Sequence, residues 1–148
     1  MRPELGQGGP GSPFGVVEPR LLFARLISAC NEHDPDAAAA LFSADIAIDG
    51  EAIGRNRIVG RLSALWRAFP DAHWEVLETI SNGRRVAARM RFTGTQATPW
   101  LGVDRPGLVV DMTEFGFFRC QGGHIVEHWG SGDAPRMLAQ LRSGTMAE

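Results

Sequence analysis

The chain has 148 residues, 44% apolar and 22% charged, which suits one globular domain able to bury a single core or wrap a pocket. A formal net charge of −2 gives no electrostatic case for nucleic acid or an acidic membrane surface, and no apolar run reaches the roughly 18 residues of a bilayer span. All fifteen basic residues are Arg and Tyr is absent, so lysine Schiff-base chemistry and phenolic acids are excluded.

The Gly/Pro-rich stretch over residues 1–18 reads as a disordered leader. From Pro19 to Asn31, Phe23, Leu26, Ile27 and Cys30 recur at i, i+3, i+4 and i+7, one stripe of a helix. Asp34 and Pro35 form an N-cap and first-turn pair for an Ala-rich helix to Phe42. A short strand, "DIAIDG", ends at Gly50. The third helix follows, with Ile58, Leu62, Leu65, Trp66 and Phe69 on one face and Pro70 closing it. "HWEVLETI" and "RRVAARMRFTG" flank Ser81-Asn82-Gly83, a hairpin signal. The loop "QATPWLGVDRPG" leads to the strand "LVVDMTEFGFFR", the Gly122-Gly123 turn and the strand "HIVEHW". A short helix capped by Asp133 closes the domain over residues 19–142, leaving 143–148 as a tail.

This order predicts an α+β domain: three helices and a short C-terminal helix on a mostly antiparallel curved sheet that encloses an apolar pocket. Alternation along the strands gives each a candidate inner face. Trp74, Val76, Glu78 and Ile80 share one. Val86 to Phe92 continue to Gly94 and Gln96. Val110, Met112, Glu114, Gly116 and Phe118 share the next, and His124, Val126, His128 and Gly130 the last. Apolar residues on the opposite faces of the last two strands suit a homodimer packed sheet to sheet. Cys30 falls on an apolar helix face and reads as core. With Cys120 far away and no metal-ligand spacing, nothing calls for a disulfide, and a cytoplasmic protein fits.

The segments "NEHDPDAAAALFSADIAIDG", "AFPDAHWEVLETISNGRRVAARMRFTGT" and "GGHIVEHWGSGDAPRMLAQL" resemble the SnoaL-like branch of the nuclear-transport-factor-2 superfamily over roughly residues 19–142. That superfamily also holds ketosteroid isomerase and the limonene and polyether epoxide hydrolases. The resemblance implies a cone-shaped α+β barrel, usually dimeric, with a deep apolar pocket. It implies acid–base chemistry on polyketides, steroids or epoxides without a metal or cofactor. It also marks departures. Gly130 stands where SnoaL-like cyclases often carry a catalytic Asp, Gln96 replaces a pocket histidine, and Gly116 a second one.

Acid–base candidates are therefore sought elsewhere. The resemblance to ketosteroid isomerase and the polyether epoxide hydrolases places a general base at about Asp49, although Asp49-Gly50 is also an ordinary turn pair. Glu114, mid-strand between Met112 and Gly116, could donate a proton to an epoxide or carbonyl oxygen if buried. His128 could act as an acid/base or orient a carboxylate. Glu78 matches a second acid of the polyether hydrolases, with Glu75 the competitor if a bulge intervenes. Trp66, Trp74, Met90, Gln96, Trp100, Met112 and Phe118 are candidate pocket wall. The expected function is a natural-product tailoring enzyme that forms or opens a ring in a lipophilic polyketide-like substrate. The alternatives are a ketosteroid-isomerase-like proton shuttle, weakened by the missing Tyr donor, or a non-catalytic lipophilic-ligand-binding protein.

Overall fold

A computed structural model describes residues 18–130 and 134–144. The expected leader, except Glu18, lies outside the described residues, as do Asp133 and the tail beyond residue 144. The described residues form α1 (Pro19–Asn31), α2 (Pro35–Leu41), β1 (Phe42–Ile48), β2 (Glu51–Ala52), α3 (Arg55–Ala68), β3 (His73–Asn82), β4 (Arg85–Thr95), β5 (Val109–Gln121), β6 (His124–Trp129) and α4 (Ala134–Ser143). The fold is α+β, with a six-stranded sheet in the order β2-β1-β6-β5-β4-β3. Among the described strands only the β1–β6 pairing is parallel. None of the described helices is long and apolar enough to cross a membrane.

Local chemistry sets the helix ends. Asp34 caps α2 by accepting the Ala37 amide at 3.0 Å, with Pro35 at the first helical position, where its missing N–H costs nothing. The apolar stripe of α1 is buried at Leu22, Phe23, Leu26, Ala29 and Cys30. On α3 the stripe splits by depth. Ile58 and Trp66 are buried, whereas Leu62 and Leu65 are half-buried because they face a cavity.

One tie between helix and sheet has no sequence signature. Asn31, at the end of α1, donates to the Trp74 carbonyl at 2.9 Å and accepts its amide at 2.8 Å. His33 reaches the Ala72 carbonyl at 3.0 Å. These bonds clamp the start of β3 and fix where the Trp74 ring enters the interior.

Two strands break the simple alternation. In β3, Val76 pairs with Met90 and Glu78 with Arg89, so Leu77 is an extra residue with no partner. A β-bulge of this kind swaps the faces beyond it. Trp74 points inward, while Glu78 and Ile80 turn outward, contrary to the predicted common face. In β6, Cys120 pairs with Ile125 and Phe118 with His128, which leaves Val126 as the extra residue. Ile125 and His128 therefore both face the interior, and His124 does not share their side. It is exposed and turned back on the Gly122 carbonyl at 3.1 Å. The faces predicted for β4 and β5 hold: Val86, Met90, Phe92, Val110, Met112 and Phe118 are all buried.

Candidate functional site

The inner face of the sheet and the helices enclose a cavity of about 480 Å³, within the range of small-molecule sites. Leu26, Ile27 and Cys30 of α1 and Ile58, Leu62 and Leu65 of α3 form one side. Trp74, Met90 and Phe118 form the sheet side, and Trp100 and Leu101 of the β4–β5 loop sit at the edge. Trp74, Met90, Trp100 and Phe118 thus stand in the wall, as the sequence suggests. Trp66 and Met112 do not. The buried Trp66 ring stacks on His33 at 5.2 Å, and Met112 is packed in the core.

Glu114 is the only carboxylate among the described lining residues. It is half-buried on β5, and Trp74 Nε1, across the intervening strand β4, donates to its Oε1 at 3.0 Å. That bond orients the carboxyl oxygen within the interior. Cys30 lies close enough to feel the Glu114 charge. Burial first, and that charge second, push its thiol up to about 12, so it is a neutral wall residue and not a nucleophile.

His128 lines the same cavity from β6, its ring stacked on Phe118 at a centroid distance of 4.4 Å and an angle of 9°. Burial pushes its pKa from 6.5 down to about 4, against a smaller upward pull from the nearby Asp49 carboxylate. The imidazole is therefore neutral near pH 7, with one ring nitrogen a donor and the other an acceptor. None of the described residues hydrogen-bonds to either nitrogen.

Asp49 does not line the cavity. It is exposed at the end of β1 with φ +50°, its amide donating to the His128 carbonyl at 2.9 Å and its Oδ1 accepting the Gly130 amide at 3.0 Å. The carboxylate joins the ends of β1 and β6 at the lip of the cavity, so the turn reading describes its geometry. Glu78 is outside altogether. The bulge at Leu77 puts it on the outer face, 59% exposed, in a 3.4 Å ion pair with Arg89. The competitor Glu75 is no better placed: opposite Arg91, it is exposed on the same outer face.

The three departures read from the sequence each have a local structural cause. Gly130 has φ +106°, and a Cβ there would overlap the Phe115 carbonyl oxygen, so no acid side chain fits. At Gly116 a Cβ would come within 2.8 Å of the Phe118 ring, the ring that carries His128. Gln96 is 1% exposed and does not reach the cavity. Its amide nitrogen donates to the carbonyls of Thr98 and Val103 at 3.0 and 2.6 Å, and its oxygen accepts the Arg105 amide at 2.9 Å. It organises the loop that carries Trp100 and Leu101.

Among the wall residues with a thiol or a charge, sequence reasoning missed Cys30 and Arg61. Arg61 is the only cation lining the cavity among the described residues, and its signal was its place on α3, three residues after Ile58 and four before Leu65. Among the described residues no three of His, Cys, Asp and Glu cluster to hold a metal ion.

Comparison with known proteins places this geometry. No curated protein matches the chain at a significant level. IdmH from Streptomyces antibioticus, assigned as a polyketide cyclase, superimposes with a TM-score of 0.72 at 29% identity, covering 84% of this chain and 98% of its own. AclR from Streptomyces galilaeus, assigned as a hydroxylase, gives 0.73 at 25% identity, covering 86% and 97%. A protein assigned as a SnoaL-like polyketide cyclase from Jannaschia sp. CCS1 gives 0.74 at 20% identity, covering 86% and 93%, a likeness of fold. The sequence profile of SnoaL-like polyketide cyclases matches residues 21–141, and the chain belongs to that family.

Proposed function

We propose that the protein is a polyketide-tailoring enzyme that closes or opens a ring by proton transfer inside the cavity, with Glu114 as the acid–base group. The observation that carries this reading is the one carboxylate among the described lining residues, held by the Trp74 indole, in an apolar wall beside a neutral imidazole with no described partner. In an oxa-cyclisation, Glu114 would take the proton of the attacking hydroxyl as the new C–O bond forms and the epoxide C–O bond, or the enone C=C π bond, breaks. The neutral His128 would hydrogen-bond to the acceptor oxygen, an epoxide or enone, as charge develops there. The proton then passes from Glu114 to the epoxide-derived alkoxide, or to the α-carbon of the enolate left by an enone, and the catalyst ends as it began. The cavity contributes by holding the chain folded with its reacting ends together. The base moves from Asp49 to Glu114 in this scheme, Asp49 positions the strand that carries His128, and Glu78 takes no part. No metal or cofactor enters the scheme. A homodimer across the outer sheet face, where Ile80, Phe115 and Trp129 are exposed, belongs to the same proposal.

The test is turnover of lipophilic hydroxy-epoxides and hydroxy-enones by wild type and Glu114→Gln. Gln keeps an oxygen for Trp74 but loses the base, so product formation should fall roughly 10²–10⁴-fold with the fold intact. Unchanged turnover would remove Glu114 from the chemistry. A second reading, a ligand-binding protein without catalysis, is favoured by Gly130, Gly116 and Gln96 at positions where the family resemblance places catalytic groups. It predicts that both proteins bind the substrates and neither converts them.

A further inference from the structure

Among the described residues the wall of the cavity holds one cation, and none of them neutralises it. Arg61 is exposed on α3, yet it lines the cavity alongside Leu62 and Leu65. It makes no hydrogen bond or ion pair with any described residue. The side-chain ion pairs among the described residues, Arg89–Glu78, Arg91–Asp111 and Arg119–Glu127, all lie on the outer face of the sheet. Arg57, one turn earlier on the same helix, is also exposed without a described partner, and the first turn of α3 has no acid. Like charges at i and i+4 repel slightly, a cost the helix carries without compensation. In a chain of net charge −2, this is a local concentration of positive potential at one rim of an apolar cavity.

Resting on the reading of this cavity as the substrate site, we infer that the ligand is an amphiphilic acid. Its apolar body lies among Leu62, Leu65, Trp74 and Met90, and its carboxylate pairs with Arg61. An Arg suits this position. Its methylene stem packs along the apolar wall while the planar guanidinium stays at the rim and offers two parallel N–H donors to a carboxylate. The pairing also fixes direction. A chain anchored by its acid at Arg61 has one end held at the rim, and its remaining length runs toward Glu114 and His128.

The test uses an uncharged fluorescent reporter, N-phenyl-1-naphthylamine, displaced by decanoate or by decanamide, which matches it in size without the charge. Wild type should bind decanoate roughly tenfold more tightly than decanamide at low salt, and the difference should shrink as ionic strength rises. Arg61→Gln should bind the reporter like wild type, which reports an intact cavity, and lose the preference for the acid. Arg67→Gln, exposed at the far end of α3 and outside the cavity, should keep it. Equal binding of acid and amide by wild type, or a preference that survives Arg61→Gln, would overturn the inference while leaving the cavity a binding site. Failure of the reporter to bind wild type would overturn both.

Discussion

Lowering the pH should destabilise this protein through His128 specifically. The imidazole titrates at about 4 in the folded protein against 6.5 when exposed, because burial disfavours its charged form. Above pH 6.5 it is neutral in both folded and unfolded chains and contributes no pH dependence. As pH falls through 6.5 the unfolded chain takes up a proton that the folded one refuses, so stability is lost progressively until the folded pKa is reached. The full gap corresponds to about 3 kcal/mol, and a side chain open to the cavity on one side brings the expectation to about 2–3 kcal/mol. For a domain of this size that is a fall in Tm of roughly 5–10 °C.

Carboxylates held low by ion pairs, Asp111 beside Arg91 and Glu127 beside Arg119, also lose stabilisation as pH falls, so the wild-type profile alone does not isolate His128. The comparison with His128→Gln does. Gln cannot titrate and every other group is shared. Thermal unfolding followed by circular dichroism from pH 7.5 to 4 should show wild type more stable at the upper end, with the gap between the two proteins closing by about 2–3 kcal/mol toward pH 4. Parallel profiles would mean that His128 is solvated and protonates normally, and the neutral hydrogen-bonding role proposed for it would fail.

Gly130→Ala puts a Cβ onto the Phe115 carbonyl at φ +106°, so it should cost at least about 2–3 kcal/mol, read as a lowered Tm; wild-type stability would show that the β6 end relaxes freely. Gln96→Leu removes three hydrogen bonds at similar volume and takes the carboxamide partner from the Thr98 carbonyl and the Arg105 amide, while the Val103 carbonyl keeps the Trp100 amide. It should cost about 2–4 kcal/mol and speed proteolysis within residues 97–107, whereas a Tm within about 2 °C of wild type would mean that water replaces the carboxamide.

Much of the architecture was legible because it rests on local chemistry. The Asp34–Pro35 cap, the α1 stripe, the hairpin at Ser81-Asn82-Gly83 and the inner faces of β4 and β5 all follow from short-range rules that the structure obeys. The errors at Glu78 and His124 have one cause. A bulge adds a single residue, and neither Leu77 nor Val126 differs in type from an ordinary strand residue, so alternation was carried past the point where the faces swap. Glu114 was legible because it lies on a strand without a bulge between it and its buried neighbours. Arg61 was not, since a charged residue beside a helical stripe looks the same in sequence whether it faces bulk water or the mouth of a cavity.

Two of the departures that the family resemblance marks, Gly116 and Gly130, both bear on His128. Gly116 leaves room for the Phe118 ring, and that ring forms the flat surface on which His128 stacks. A histidine at position 116 would displace Phe118, and His128 would lose the packing that desolvates it. Gly130 adopts a backbone that only glycine tolerates, and its amide engages Asp49, whose own amide holds the His128 carbonyl. The buried orphans among the described residues are Ser43 Oγ and Trp66 Nε1, and neither residue lines the cavity. What faces the cavity is a carboxylate hydrogen-bonded by Trp74, an imidazole whose nitrogens meet none of the described residues, and an arginine at the rim. Apolar side chains at all three positions would close the wall without desolvating a polar group, so the polar groups present there are what the proposed ligand reading accounts for.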